Sequence, residues 1–209
     1  MELQIALDRM PAATALDVAA AVAPHVDWIE VGTSMIKREG AAFLTAVAAA
    51  AGDTPVLADL KIADDARWEL TMAYDAGARS ATVLGLAPAT TIDTAVQVAD
   101  ERGRELVVDL MGLDSAARAV LAERLPSDIV LAAHVSKDAQ GHGATPLSQL
   151  GPWADGRRIA VAGGLGVADM PALAGRDIRV IVGSAVTSSP DPLAAVQELR
   201  AAAAAEALR

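Results

Sequence analysis

Val56-Leu57-Ala58-Asp59-Leu60-Lys61-Ile62-Ala63-Asp64-Asp65 runs an apolar strand straight into an Asp-x-Lys-x-x-Asp pattern. Side chains on a strand alternate faces, so Asp59 and Lys61 point one way and Leu60 the other. Asp64 follows three residues later, where the strand is expected to have ended and a helix to begin. The pattern therefore places an ammonium between two carboxylates at a strand end. An isolated pair of this kind is ordinarily a weak structural salt bridge. Its position in the chain decides whether it is more than that.

Outward from this run, apolar segments of five to seven residues alternate with Ala-rich helical ones. The strand candidates are Leu3–Asp8, Val26–Gly32, Pro55–Leu60, Ser80–Gly85, Glu105–Asp109, Ile129–His134, Arg158–Ala162 and Ile178–Gly183. They are rich in Val, Ile and Leu without polar alternation, as parallel strands buried on both faces are. The helix candidates are Pro11–Ala23, Arg38–Ala51, Asp64–Ala76, Ala89–Arg102, Ser115–Arg124, Pro146–Trp153, Val167–Ala174 and Asp191–Ala205. Gly77 and Gly103 stand where helices should stop, and Pro190-Asp191-Pro192 where the last should start. Eight alternating units fit a closed (β/α)8 TIM barrel better than an open doubly wound sheet. No linker or low-complexity stretch divides the chain, so residues 1–209 read as a single barrel domain.

Composition narrows the field. The chain is 53% hydrophobic and 21% charged, with mean hydropathy +0.35, the profile of a folded globular protein. Only five residues are aromatic, so the core must be built from Ala, Val, Leu and Ile. No apolar stretch approaches the ~20 residues of a membrane span, and the N-terminus lacks the basic start of a secretory signal. A cytoplasmic location is expected. The absence of Cys excludes disulfides, thiolate nucleophiles and Cys-ligated metals. A net charge of −10 without any basic cluster argues against nucleic acid as a partner.

Active sites of such barrels lie at the C-terminal strand ends. Those ends carry Asp8, Glu30, the Asp59–Lys61 pair, Asp109, His134, Gly163-Gly164 and Gly183-Ser184. Seven of the eight strands thus deliver an ionisable residue or a glycine to one face, a convergence that an isolated salt bridge does not predict. Glu30, inside Trp28-Ile29-Glu30-Val31, must be buried and calls for a compensating cation. Glu30 and Asp59 end neighbouring strands, and two carboxylates are what Mg²⁺ commonly takes from a protein, water and substrate completing its shell. His134 is one of three histidines and the one at a strand end. The polar loop Val135–Gly143 behind it, with Lys137, is long enough to cover the site. The glycine turns after strands seven and eight let backbone N–H groups approach a phosphate.

These residues suit a Mg²⁺-dependent lyase acting on a sugar phosphate through an enediolate. A cation on Glu30 and Asp59 would neutralise the enediolate oxygens, and Lys61 would add a fixed positive charge. Asp59 and Asp64 are expected to keep Lys61 charged, which argues against a Schiff base. His134, alone or through a water shared with Lys137, would move the proton.

The stretch Leu57–Asp64 resembles the signature of the orotidine monophosphate decarboxylase superfamily. The chain is more closely similar to its branch of 3-keto-L-gulonate 6-phosphate decarboxylases and 3-hexulose-6-phosphate synthases. Gln4-Ile5-Ala6-Leu7-Asp8, Ile29-Glu30-Val31-Gly32-Thr33, Val107-Val108-Asp109-Leu110 and Ala162-Gly163-Gly164 carry the resemblance over nearly the whole length. It implies Mg²⁺ on Glu30 and Asp59, enediolate stabilisation by Lys61, and phosphate on the turns of Gly163, Gly164, Gly183 and Ser184; Asp8 and Asp109 are expected to bind substrate, Asp8 with a catalytic part as well. It also implies a homodimer in which Asp64 reaches the neighbouring site. Within the branch, His134-Val135-Ser136-Lys137 resembles the His-x-x-Arg segment of the decarboxylases, with Lys137 in place of Arg. Ala162 and Ser184 stand where the decarboxylases tend to have Thr and Arg, and Thr82-Val83-Leu84-Gly85, Val108-Asp109-Leu110-Met111-Gly112 and Ile36-Lys37 resemble the synthases. Decarboxylation of 3-keto-L-gulonate 6-phosphate is the expected activity. Condensation of formaldehyde with ribulose 5-phosphate is the alternative, and a non-catalytic sugar-phosphate-binding barrel is the alternative of another class.

Overall fold

The computed structural model describes residues 1–140 and 145–207. His142 and the glycines beside it in the expected covering loop lie outside the described residues. Eight strands close a parallel barrel in sequence order: β1 (Glu2–Leu7), β2 (Trp28–Val31), β3 (Val56–Ile62), β4 (Ser80–Leu84), β5 (Glu105–Asp109), β6 (Val130–His134), β7 (Ile159–Ala162) and β8 (Ile178–Val182). β8 returns to β1 with Leu3 opposite Val180, which removes every sheet edge. The (β/α)8 TIM barrel expected from the alternation is the fold observed.

Strand alternation gives the barrel two separate apolar fillings. Outward residues such as Leu3, Ile5, Leu7, Ile29, Val83, Val108 and Val180 pack against the surrounding helices. Inward residues Trp28, Leu57, Val107, Val130, Ala132 and Ala160 form a second, smaller cluster in the lumen. Each fully buried Leu or Ile of the outer layer contributes about 1.5–3 kcal/mol. The alanines of the lumen contribute little, and they leave room above them.

The helices are α1 (Ala12–Val22), α2 (Thr33–Glu39), α3 (Ala41–Ala51), α4 (Ala66–Asp75), α5 (Ala89–Arg102), α6 (Ser115–Arg124), α7 (Met170–Leu173), α8 (Ser184–Thr187) and α9 (Pro192–Ala207). α5 and α6 have the expected bounds, and Gly103 caps α5 in the left-handed conformation. Three expectations fail for local reasons. The helix expected over Arg38–Ala51 is two, because Gly40 at φ 75° breaks the spiral between α2 and α3. Pro146–Trp153 forms only the 3-10 turns Leu147–Gln149 and Pro152–Ala154, separated by extended Gly151 ahead of a proline that cannot donate. Val167–Ala174 is a 3-10 turn leading into the four-residue α7. The short α8 after β8 was not expected.

The third strand departs most instructively. It runs on to Ile62 instead of ending at Leu60, and its pairing with β4 shifts register between Ala58 and Ile62. At that irregularity Lys61 takes φ 51°, a left-handed backbone that few non-glycine residues adopt.

Candidate active site

At the C-terminal end of the barrel the strands surround a cavity of about 590 Å³. Its floor is the alanine-rich lumen with Gln4, and its rim includes Asp8, Lys137, Gly163, Gly164, Gly183 and Ser184. Glu30, Asp59, Lys61, Asp109 and His134 line the wall between them. Of the residues singled out from the sequence, Asp64 alone lies off this cavity.

Lys61 sits at the centre. Its Nζ donates to Asp59 Oδ2 at 2.6 Å and lies 3.2 Å from Asp109 Oδ2. Burial by itself would lower the ammonium's pKa, but Asp59 and Asp109 outweigh it and hold the group well above its ordinary range. The second carboxylate beside Lys61 is therefore Asp109, not the expected Asp64. Past the left-handed backbone of Lys61 the strand ends at Ile62, and Asp64 lies exposed on the surface, accepting from the Asp65 N–H at 2.8 Å.

Asp109 also holds His134. Its Oδ2 lies 2.8 Å from His134 Nδ1, while Oδ1 accepts from the Met111 N–H at 2.9 Å. Burial would raise this carboxyl's pKa; His134, Lys61 and the Met111 amide overcome that and keep it below the usual carboxylate range. An ionised Asp109 fixes the hydrogen on Nδ1, which leaves Nε2 for the cavity.

Glu30 is the unbalanced member. Gln4 Nε2 donates to its Oε2 at 2.5 Å. Burial, and next the negative charge of Asp59, push Glu30 up to about 8. Asp59 meanwhile accepts from three donors: Oδ2 from Thr33 at 2.6 Å as well as from Lys61, and Oδ1 from Thr82 at 2.8 Å, which leaves a lone pair of the carboxylate free. Two buried carboxylates with a surplus of negative charge and all-oxygen donors fit a hard divalent cation that draws its other ligands from water and substrate. Among the described residues no third His, Asp or Glu joins them as a ligand group.

The rim is shaped by close approach. Ser34 donates to Asp8 Oδ1 at 2.6 Å, and any Cβ on Gly32 would collide with the Asp8 carboxylate. Gly163, at φ 121°, passes against the backbone of Val135, so the β7 turn admits no side chain there. Lys137 is exposed and reaches Gln140 Oε1 at 3.3 Å. Sequence reasoning missed Gln4, Thr33, Ser34 and Thr82. Ionisable groups and glycines were sought at strand ends; inward parity of any polar residue would have found Gln4 and Thr82.

The model of the orotidine 5′-phosphate decarboxylase / HUMPS family matches residues 1–199. The chain belongs to that family. A 3-hexulose-6-phosphate synthase of Mycobacterium gastri is 40% identical over 209 residues, covering 98% of this chain and all of that one. The crystal structure of 3-hexulose-6-phosphate synthase from Salmonella typhimurium superposes with a TM-score of 0.90 at 35% identity, covering 99% of this chain and 100% of that one. That of 3-keto-L-gulonate-6-phosphate decarboxylase from Vibrio cholerae gives 0.83 at 26%, covering 98% and 97%. This member of the family is an enzyme of the lyase type, and no helix among its described residues is long and apolar enough to cross a membrane.

Proposed function

We propose that this family member condenses formaldehyde with ribulose 5-phosphate to give 3-hexulose 6-phosphate, working inside the cytoplasm. The observation that carries the choice is the difference in likeness. Identity is 40% with a synthase over the full length, against 26% with a decarboxylase of the same fold. Decarboxylation of 3-keto-L-gulonate 6-phosphate, the activity expected first, thereby becomes the second reading. Both reactions share an enediolate, which is why the residues alone did not separate them.

In the proposed reaction His134 Nε2 removes a proton from C1 of ribulose 5-phosphate, next to the C2 carbonyl. Asp109 stabilises the imidazolium that results. The C–H electron pair moves into an enediolate, whose oxygens face Lys61, a charge already fixed in place by Asp59 and Asp109. C1 then attacks formaldehyde, and His134 returns its proton to the new alkoxide, so atoms and charge balance. A Mg²⁺ ion held by Glu30 and Asp59 would neutralise negative oxygen on the bound sugar. Gly163, Gly164, Gly183 and Ser184 are proposed to hold the phosphate, and Asp8 a sugar hydroxyl. Asp64, exposed in the link to α4 and four residues before the 72%-exposed Trp68, is suited to the expected homodimer, in which it would complete the partner's site. Lys137 has no step in the aldol reaction.

One assay series tests this. Protein stripped with EDTA and protein restored with Mg²⁺ are given formaldehyde plus ribulose 5-phosphate and, separately, 3-keto-L-gulonate 6-phosphate. The aldol reaction is expected to dominate and to disappear with the metal. Dominant CO₂ release would restore the decarboxylase reading; full activity after stripping would sink the metal assignment.

A further inference from the structure

Thr82 is buried at 5% exposure on β4, the one strand with no member in the expected constellation. Its hydroxyl makes two bonds at once. It donates to Asp59 Oδ1 at 2.8 Å and accepts from the backbone N–H of Lys61 at 2.8 Å. The second bond exists because of the irregularity in β3. Where the register with β4 shifts, a side-chain oxygen takes up the Lys61 amide at a residue with φ 51°. The first bond ends on the carboxylate that holds the Lys61 ammonium at 2.6 Å.

Backbone amide, hydroxyl, carboxylate and ammonium thus form a closed loop that starts and finishes on Lys61. We infer that Thr82 is a positioning residue, whose hydroxyl locks the left-handed backbone of Lys61 and the Asp59 carboxylate into one unit and so fixes where the ammonium meets the substrate. A hydroxyl, one donor with acceptor capacity on the same atom, can close this loop. Valine has the same shape and can close neither side of it. The inference rests on the proposed role of Lys61 beside the enediolate.

The test compares Thr82→Val with Thr82→Ser in the full-length, Mg²⁺-loaded protein. Thr82→Val is expected to lower kcat in the aldol reaction roughly ten- to a hundredfold, the ratio for losing a hydrogen bond to a charged group. The KM for ribulose 5-phosphate should stay within about twofold, since phosphate binding lies elsewhere, and Thr82→Ser should recover most of the rate. Wild-type kcat in a folded Thr82→Val protein would overturn the inference. So would a fall that serine does not rescue. Hydrogen exchange at the Lys61 amide decides the matter even if the valine variant fails to fold. Protection in the wild type supports the loop, and free exchange there refutes it. If the wild type shows no aldol activity, the proposed reaction falls, while the exchange measurement still judges the loop.

Discussion

The two ends of the barrel lumen each hold a cluster of charges, and only one of them balances. At the N-terminal end Arg179, 3% exposed, donates Nη1 and Nη2 to Glu105 at 2.8 and 3.0 Å and Nε to Glu2 at 2.8 Å, with its guanidinium over the Trp28 ring. Arg158 bonds the same Glu105. Two cations face two carboxylates, so the charges match, and Arg158 Nη1 goes on to the Asp128 carbonyl at 3.0 Å. At the C-terminal end Lys61 faces Asp59 and Asp109, with Glu30 left over and His134 reserved by Asp109. The difference teaches how to tell a structural cluster from a site: the closed one stiffens the barrel, and the open one has unmet charge to spend on something that arrives.

The comparison can be broken most easily at Lys61. Lys61→Ala is expected to lower turnover at least a thousandfold in the aldol assay, on the scale of a removed oxyanion donor, while circular dichroism stays that of the wild type. Appreciable turnover in that variant would make the upper cluster structural after all.

Arg179→Leu should behave in the opposite way. It removes half of the buried Glu105's bonding, and should cost about 3–5 kcal/mol in denaturant unfolding, as breaking a buried pair does. kcat well below the melting temperature should stay within about twofold of wild type. An Arg179→Leu protein of normal stability and poor kcat would erase the distinction between the two ends.

The smallest effect expected is in the pH dependence of the metal-free protein. Glu30 rises from its ordinary 4.5 to about 8, so the folded state keeps a proton that the unfolded chain has already released. Its contribution is complete below 4.5 and is lost as pH climbs towards about 8. The thermal midpoint should therefore fall between about pH 4.5 and 8 without metal and level off above that, and Glu30→Gln should flatten that fall. An unchanged slope in Glu30→Gln would locate the surplus charge elsewhere.

Most of the barrel was legible because its signals are local and repeated. Val, Ile and Leu runs bounded by Gly or Pro mark β1 to β8, and a polar residue after such a run marks the face of the site. Asp8, Glu30, Asp59, Lys61, Asp109, His134 and the glycine turns all line one cavity, as the strand-end argument required. What escaped depends on backbone detail or on distance. Strict alternation placed Lys61 correctly beside Asp59, yet it hid the register shift, and with it the departure of Asp64 and the contact with Thr82. Gln4 and Glu30 are 26 residues apart, and nothing near either one announces the other. The irregular segment after β6 failed because Leu and Gln favour a helix there, while Gly151 and Pro152 interrupt it.

Gly32 and Asp8 close with a consequence for sequence change. The space a β-carbon at position 32 would need is already filled by the carboxylate of residue 8. The two positions therefore cannot drift independently. In a library randomised at both, glycine at 32 should survive alongside aspartate at 8. Any larger residue at 32 should appear only where 8 has shrunk or its side chain has swung away from Ser34. One collision, between residues 24 apart in the chain, thus writes a pairwise rule into descendants of this barrel that keep the Asp8 carboxylate where it is.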